Sequence, residues 1–318
     1  MRKTNCWILI VLLLSFPMFS MGNDDKAEKI IDRLIENYEK QREGIKDMIT
    51  TKEDAVVYQK WEKKNGETIY KWRQEKDVNG QKQIAVFDGK NYYVKNPQTG
   101  EVEEKEEGNM NPLHFYKDLK EVDCKYAGRK KVNGRNCHVI KAEDVPMDKL
   151  FQGSKSPGMG GEEQASSTEN VMIDIQLFID DSDWVMPKMI YDMENTGEEP
   201  SGPQQGGFNE ARSVVVNKDF REVEGMMIAF ETVNTMKIKM SAEQKEQAKQ
   251  MRESFKKMEE EMEDMPPEQR EMMEQRMEER MGNSKQLLGG NEMKTVTKIE
   301  NVEVNTGISD DLFDGSNL

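Results

Sequence analysis

The feature that most limits what this chain can become is a series of two-residue turn signals set between runs of alternating polar and apolar residues. Asn65-Gly66, Asn79-Gly80, Asp88-Gly89, Asn133-Gly134 and Glu224-Gly225 each separate two such runs, and dipeptides of this kind suit the tight turns that join antiparallel neighbours. The first predicts Trp61 opposite Tyr70 and Gln59 opposite Trp72 on one face. Aromatic cross-strand pairs of that sort contribute about 0.2–1 kcal/mol each. Val171, Ile173, Ile175, Leu177 and Ile179 alternate with Asp174, Gln176 and Asp180, as in a strand with one buried face. Asp181 to Asp183 is expected to turn the chain into a strand over Trp184–Met193, where Val185, Met189, Tyr191 and Met193 share a face. Met226, Ile228, Phe230, Met236, Ile238 and Met240 continue the rule in a long strand, and a last strand is expected over about Met293–Val304.

Helical spacing occurs in three places. Ala27, Ile30, Ile31, Leu34, Ile35 and Tyr38 predict an opening helix, with Asp25 and Glu28 as a capping-box-like start. Asn111-Pro112, followed by Leu113, Tyr116 and Leu119, predicts a short one with Pro at its first position. Between about residues 242 and 290 the strand pattern gives way to Met251, Phe255, Met258 and Met262, then Pro266-Pro267, then Met273, Met277 and Met281. That is an amphipathic helical hairpin rich in Met and Glu. Strand pattern resumes on both sides, so residues 23–318 are expected to form one α+β domain with an insertion. Gln152–Glu169 and Asn195–Glu210 read as surface excursions.

Residues 1–22 follow a different plan. Arg2 and Lys3 precede an apolar run from Trp7 to Leu14, and Ser20, Met21 and Gly22 offer a cleavage site. This is the layout of a secretory signal peptide, and the run is short for a membrane span. The expectation is an exported, periplasmic protein, soluble and without a transmembrane segment once the signal is removed.

Composition narrows function. The 318 residues carry 46 Lys plus Arg against 61 Asp plus Glu, a formal charge of −15. Nonspecific nucleic-acid binding needs the opposite balance to neutralise phosphates, so no nucleic-acid partner is expected. With 2 His and 3 Cys in the whole chain, most metal and Cys/His nucleophile schemes lack parts, and no Walker, Rossmann, HExxH or GxSxG spacing occurs. No catalytic residue, metal ligand or cofactor is expected. Cys124 and Cys137 stand about six residues apart along the Asn133-Gly134 hairpin, with Cys137 opposite Lys130 and Cys124 opposite Glu143. That separation is roughly 20 Å at strand rise, against the ~7 Å between Cα atoms that a disulfide tolerates, so free thiols are expected. His138 and Cys137 are strand neighbours facing opposite sides, which argues against a dyad, and His114 falls in the short helix. Asp180, Asp181 and Asp183 fit a hairpin turn better than a calcium loop, which needs more oxygen ligands. Eight basic side chains between Phe115 and Lys141, against three acidic ones, read as the solvated face of a hairpin. Met258, Met262 and Met265 resemble thioether clusters that bind Cu(I). An adaptable apolar stripe explains them as well.

Several stretches resemble the LolA-like outer-membrane lipoprotein-sorting family. Val86-Phe87-Asp88-Gly89-Lys90-Asn91-Tyr92-Tyr93-Val94, leading to Asn96-Pro97, is similar to that family's "dGk.lw.ydp" stretch. Val132-Asn133-Gly134-Arg135-Asn136-Cys137-His138-Val139-Ile140 resembles its "vdGr.cyvl" hairpin. Leu177-Phe178-Ile179-Asp180 with Trp184, Pro187 and Lys188, then Phe220–Met226 with Ile228 and Phe230, and finally Val302–Phe313 follow in the family's order. The resemblance spans about Ala27 to Phe313 apart from the insertion and the two excursions.

The resemblance implies a strongly curved antiparallel sheet, an incomplete barrel, with the first helix and the Asn111–Leu119 helix across its concave face. It also implies an apolar space between sheet and helices that takes lipid or lipoprotein acyl chains, without catalysis. The wall positions expected on this reading are Trp61, Tyr70, Trp72, Ile175, Leu177, Met189, Tyr191, Ile228, Phe230 and Ile238. Two further readings stand beside it: an envelope interaction or sensor module that binds a protein partner through the Met-rich hairpin, and Cu(I) binding.

Overall fold

The structure, a computed structural model, describes residues 23–239 and 292–318, apart from 65–66, 79, 98, 107–111, 151–169 and 198–209, together with scattered residues between 245 and 270. Helix α1 (Asn23–Gln41) leads into six strands: β1 (Asp47–Lys52), β2 (Ala55–Lys64), β3 (Glu67–Val78), β4 (Gln81–Phe87), β5 (Asn91–Lys95) and β6 (Val102–Glu106). Helix α2 (Pro112–Asp118) separates these from β7 (Cys124–Val132) and β8 (Arg135–Pro146). After α3 (Met147–Leu150) come β9 (Val171–Asp180), β10 (Lys188–Asn195), β11 (Glu210–Val223), β12 (Met226–Lys239) and β13 (Glu292–Val304).

Among the described residues, all thirteen strands form one antiparallel sheet in the order β6-β5-β4-β3-β2-β1-β13-β12-β11-β10-β9-β8-β7. Two hairpin meanders, β1–β6 and β7–β12, are joined through β13, which pairs with β1 on one side and β12 on the other. The sheet ends at β6 and β7 and does not close. It is the curved, incomplete barrel that the sequence motifs imply.

The turn dipeptides explain the register. Asn133 and Gly134 both take positive φ (49° and 83°), as do Glu224 and Gly225 (48° and 81°), the backbone of a two-residue turn whose twist matches the flanking strands. Trp61 pairs with Tyr70, Gln59 with Trp72 and Lys130 with Cys137, as expected. Cys124 departs: it stands opposite Ala142, one residue from the expected Glu143, because a bulge between Tyr126 and Arg129 shifts the ladder. Both cysteines are free and buried, and burial pushes each thiol up to about 11.

Two other expectations are corrected. Helix α1 begins at Asn23, so Asp25 is not its cap; Asp24 and Asp25 lie in the first turn, where their charge opposes the helix dipole favourably. Strand β10 begins at Lys188, not at Trp184. The Asp180 carboxylate accepts from the Ser182 hydroxyl (2.7 Å) and the Asp183 amide (2.9 Å), which coils the turn. Trp184 follows at positive φ (53°) and stacks on His138 instead of entering the ladder. Arg135 bridges Asp180 and Asp183, so the aspartate-rich turn is closed by an internal cation. The insertion at 242–290 and Met240 fall largely outside the described residues. Within it, Lys256–Met258 and Met262 are helical, and Met262 is buried.

The main core lies on the concave face, where Ala27, Ile30, Ile31 and Leu34 of α1 meet Ile140, Ile173, Ile175, Leu177 and Ile179. A second cluster on the same face gathers Tyr70, Trp72, Phe87 and Tyr92, with Trp61 against it. On the opposite face of β2–β5 the C-terminal tail lies flat: Lys60 Nζ donates to the Ile308 carbonyl (2.9 Å), Arg73 Nη1 to that of Leu312 (3.1 Å), and Phe313 is buried.

One carboxylate ties this tail to the sheet. Asp47 is 3% exposed and accepts from the Thr306 amide (2.7 Å), the Thr306 hydroxyl (2.9 Å) and the Gly307 amide (3.1 Å). Asp47→Ala is expected to destabilise the protein by about 2–3 kcal/mol, since hydrogen bonds to a charged group are the stronger ones and their donors would be left unpaired. Urea unfolding measures this, and an unchanged midpoint would remove the tether from the account.

Candidate functional site

Helix α1 is long enough to do two things. Its first half packs on the core through Ala27, Ile30, Ile31 and Leu34, while its end, with Tyr38, Gln41 and then Arg42, reaches past the packed region over the middle of the sheet. Its position is held at several points. Lys26 Nζ lies 3.8 Å from the centroid of the Tyr126 ring, and Asp32 pairs with Lys120 at 2.7 Å. Asn37 donates to the Asp183 carbonyl (3.0 Å), and the Gln41 side chain accepts from the Met227 amide (3.2 Å). Tyr38 meets Tyr116 of α2 edge to face at 5.3 Å. The two helices form a roof.

Under the far end of that roof is a cavity of about 450 Å³, within the range of small-molecule sites. Its walls come from α1, α2, β1, β2 and β10–β13: Leu34, Met48, Val57, Tyr116, Trp184, Met186, Met189, Phe220, Met227, Ile228 and Ile299 supply apolar surface. Asn37, Tyr38, Gln41, Arg42, Thr50, Lys52, Gln59 and Asn217 supply polar groups. Strand alternation explains the β1 and β2 contributions: Met48, Thr50 and Lys52 fall on one face, with Val57 and Gln59 beside them.

The electrostatics of the site are one-sided. No Asp or Glu lines it among the described residues, while Arg42 and Lys52 do. The Arg42 guanidinium lies 3.5 Å from the centroid of the Tyr38 ring, and Arg42 Nε is buried without a hydrogen-bond partner among the described residues. Burial raises the Tyr38 phenol, against the opposing effect of Arg42, and pushes Tyr116 up to about 12. Burial lowers Lys52, partly offset by Asp54. These phenols stay neutral at ordinary pH, so the site offers donors and a greasy wall.

A second cleft of about 430 Å³ opens near the β9–β12 ends. Its charges largely answer one another: Arg212 pairs with Asp192 (3.3 Å), and Lys239 with Glu210. Its apolar lining is confined to Met172, Met193, Ala211 and Ile238, fewer residues than in the first.

The ten expected wall residues do not all meet at one cavity. Met189 and Ile228 line the 450 Å³ cavity. Ile175 and Leu177 lie in the packed core beside it, with Tyr191 partly buried against them, and Trp61, Tyr70 and Trp72 form the neighbouring aromatic cluster. Ile238 borders the second cleft, and Phe230 is buried with Arg221 over its ring at 4.2 Å. The positions that sequence reasoning passed over are the polar end of α1 and the inner face of β1. Their alternation, Met48-x-Thr50-x-Lys52, carries too little apolar contrast to stand out.

No protein-family model matches the chain, and no curated protein does. Among solved structures, it is similar to a DUF1329 family protein from Desulfovibrio piger, with a TM-score of 0.49 and 10% identity over 93% of this chain and 99% of that one. It is similar to an outer membrane lipoprotein-sorting protein domain from Vibrio parahaemolyticus, with a TM-score of 0.39 and 10% identity over 90% and 98% of the two chains. A LolA superfamily protein from Nitrosomonas europaea is similar at a TM-score of 0.39, with 8% identity over 92% and 99%.

Proposed function

We propose that this protein is a non-enzymatic carrier or binding protein for the acyl chains of lipids or lipoproteins, working in the periplasm after residues 1–22 are removed as a signal peptide. The observation that carries the reading is the cavity beneath α1 and α2, walled by apolar side chains on the concave face of an open sheet. Each methylene moved from water into such a space contributes about 0.8 kcal/mol, so a chain of modest length is held without any reacting group. The family resemblance of the turn and strand motifs points the same way.

Native mass spectrometry of protein purified from cells is expected to show co-purifying lipid, and the delipidated protein is expected to take up a fluorescent fatty acid. Val57→Trp puts a bulky ring into the cavity and is expected to abolish uptake while leaving the thermal midpoint within a few degrees. A clean apo mass together with no uptake by the unaltered protein defeats the proposal.

A further inference from the structure

The cavity has a polarity that an acyl-chain site does not require, and it assigns the other end of the ligand. On a chain of charge −15, the cavity is lined by two cations and, among the described residues, by no carboxylate. Arg42 and Lys52 have no ion pair among the described residues, and the nearby Asp54 is engaged by Lys76 at 2.9 Å. The Arg42 guanidinium is held against the Tyr38 ring, yet its Nε is buried without a partner among the described residues. Buried donors left unpaired are costly and uncommon, and an anionic oxygen is the acceptor that suits a guanidinium or an ammonium. Met48, Val57, Met189, Ile228 and Ile299 provide hydrocarbon surface in the same cavity.

We propose that the ligand of this cavity is an amphiphile with an anionic head, its charge met by the cations that line the cavity, Arg42 and Lys52, and its tail by the apolar wall. The proposal deepens the acyl-chain reading and rests on it. A fatty carboxylate and an alkyl phosphate present the same chemistry to these groups, and binding distinguishes them.

The experiment measures displacement of an uncharged fluorescent alkyl probe from the delipidated full-length protein by palmitic acid, hexadecyl phosphate and methyl palmitate. At least one anionic ligand is expected to bind about tenfold or more tightly than the ester, the effect of hydrogen bonds to a charged group. Whichever of the two binds more tightly identifies the head. Arg42→Gln and Lys52→Gln are each expected to weaken the anionic ligand several-fold and to leave the ester unchanged, with Arg42→Lys restoring part of the loss. Thermal melts verify that each variant folds, and either cation alone is enough to test the effect. Equal affinity for ester and anions, or anionic binding indifferent to both substitutions, overturns the assignment while leaving the acyl-chain reading in place. No binding of the probe or of any of the three ligands overturns both.

Discussion

Arg135→Ala is expected to cost about 3 kcal/mol of folding stability, near the low end for a broken buried ion pair, and to flatten the protein's response to acid. Arg135 Nη1 lies 3.0 Å from Asp180 and 2.6 Å from Asp183, and the Asp180 side chain is only 2% exposed. Without the guanidinium, Asp180 keeps the Ser182 hydroxyl and the Asp183 amide, which holds the loss below that of an isolated buried charge. The hairpin also loses the contact of Arg135 with the Phe220 ring, at 4.7 Å.

The pH dependence has a definite sign. Burial alone would raise the Asp180 carboxyl, but the Ser182 hydroxyl, the Asp183 amide and the Arg135 charge together bring it below the ordinary aspartate value. A carboxyl depressed in the native state stabilises the fold at pH above its unfolded value, about 3.9, and loses that contribution as pH falls through the native one. The gap between the unaltered protein and Arg135→Ala is therefore expected to be constant near neutrality and to close below about pH 4. Urea unfolding at a series of pH values measures it. Parallel acid profiles for the two proteins would show that Arg135 does not tune Asp180. Arg129→Ala is the control: Arg129 is mostly exposed and 3.5 Å from Asp181, so its loss is expected to cost at most about 1 kcal/mol.

The Asp180 turn also shows what local sequence can and cannot convey. The aspartates marked a turn, and turn dipeptides with period-two alternation placed Trp61 against Tyr70 and Lys130 against Cys137. A one-residue slip would move every apolar side chain to the wrong face, so these registers were legible from neighbouring residues alone. The delayed start of β10 was not, because it depends on Trp184 turning away to stack on His138, 46 positions earlier in the chain. The insertion of β13 between β1 and β12 was likewise hidden: pairing between strands that far apart leaves no mark on either strand's own pattern. The same holds for the site. Alternation assigned Leu177 and Ile228 to apolar faces in the same way, and nothing in either strand says that one meets neighbours and the other meets space. Arg42 was missed for a related reason, since helical periodicity is scored on apolar residues and α1 delivers a cation at its end.

That difference between two residues of similar sequence character is itself measurable. Leu177 is 1% exposed in the core beneath α1, so Leu177→Ala leaves a void that its neighbours fill only in part. A loss of about 2–5 kcal/mol is expected, with the affinity of the folded fraction for an acyl ligand unchanged. Ile228 borders the cavity, where removing methylenes enlarges a space that already exists and forfeits contacts on one side only. Ile228→Ala is expected to cost about 1 kcal/mol of stability and, because ligand contacts are lost, to weaken acyl binding several-fold. Urea unfolding and fluorescent fatty-acid titration, run on both variants, separate the two roles. If Leu177→Ala were as mild as Ile228→Ala, the core would not be as tightly packed as its burial indicates. If fatty-acid affinity ignored Ile228, the ligand would have to lie elsewhere than beneath α1. Stability should therefore follow the packed end of the concave face and affinity the open end, as a roof helix packed on the core along its first half and spanning a cavity along its second requires.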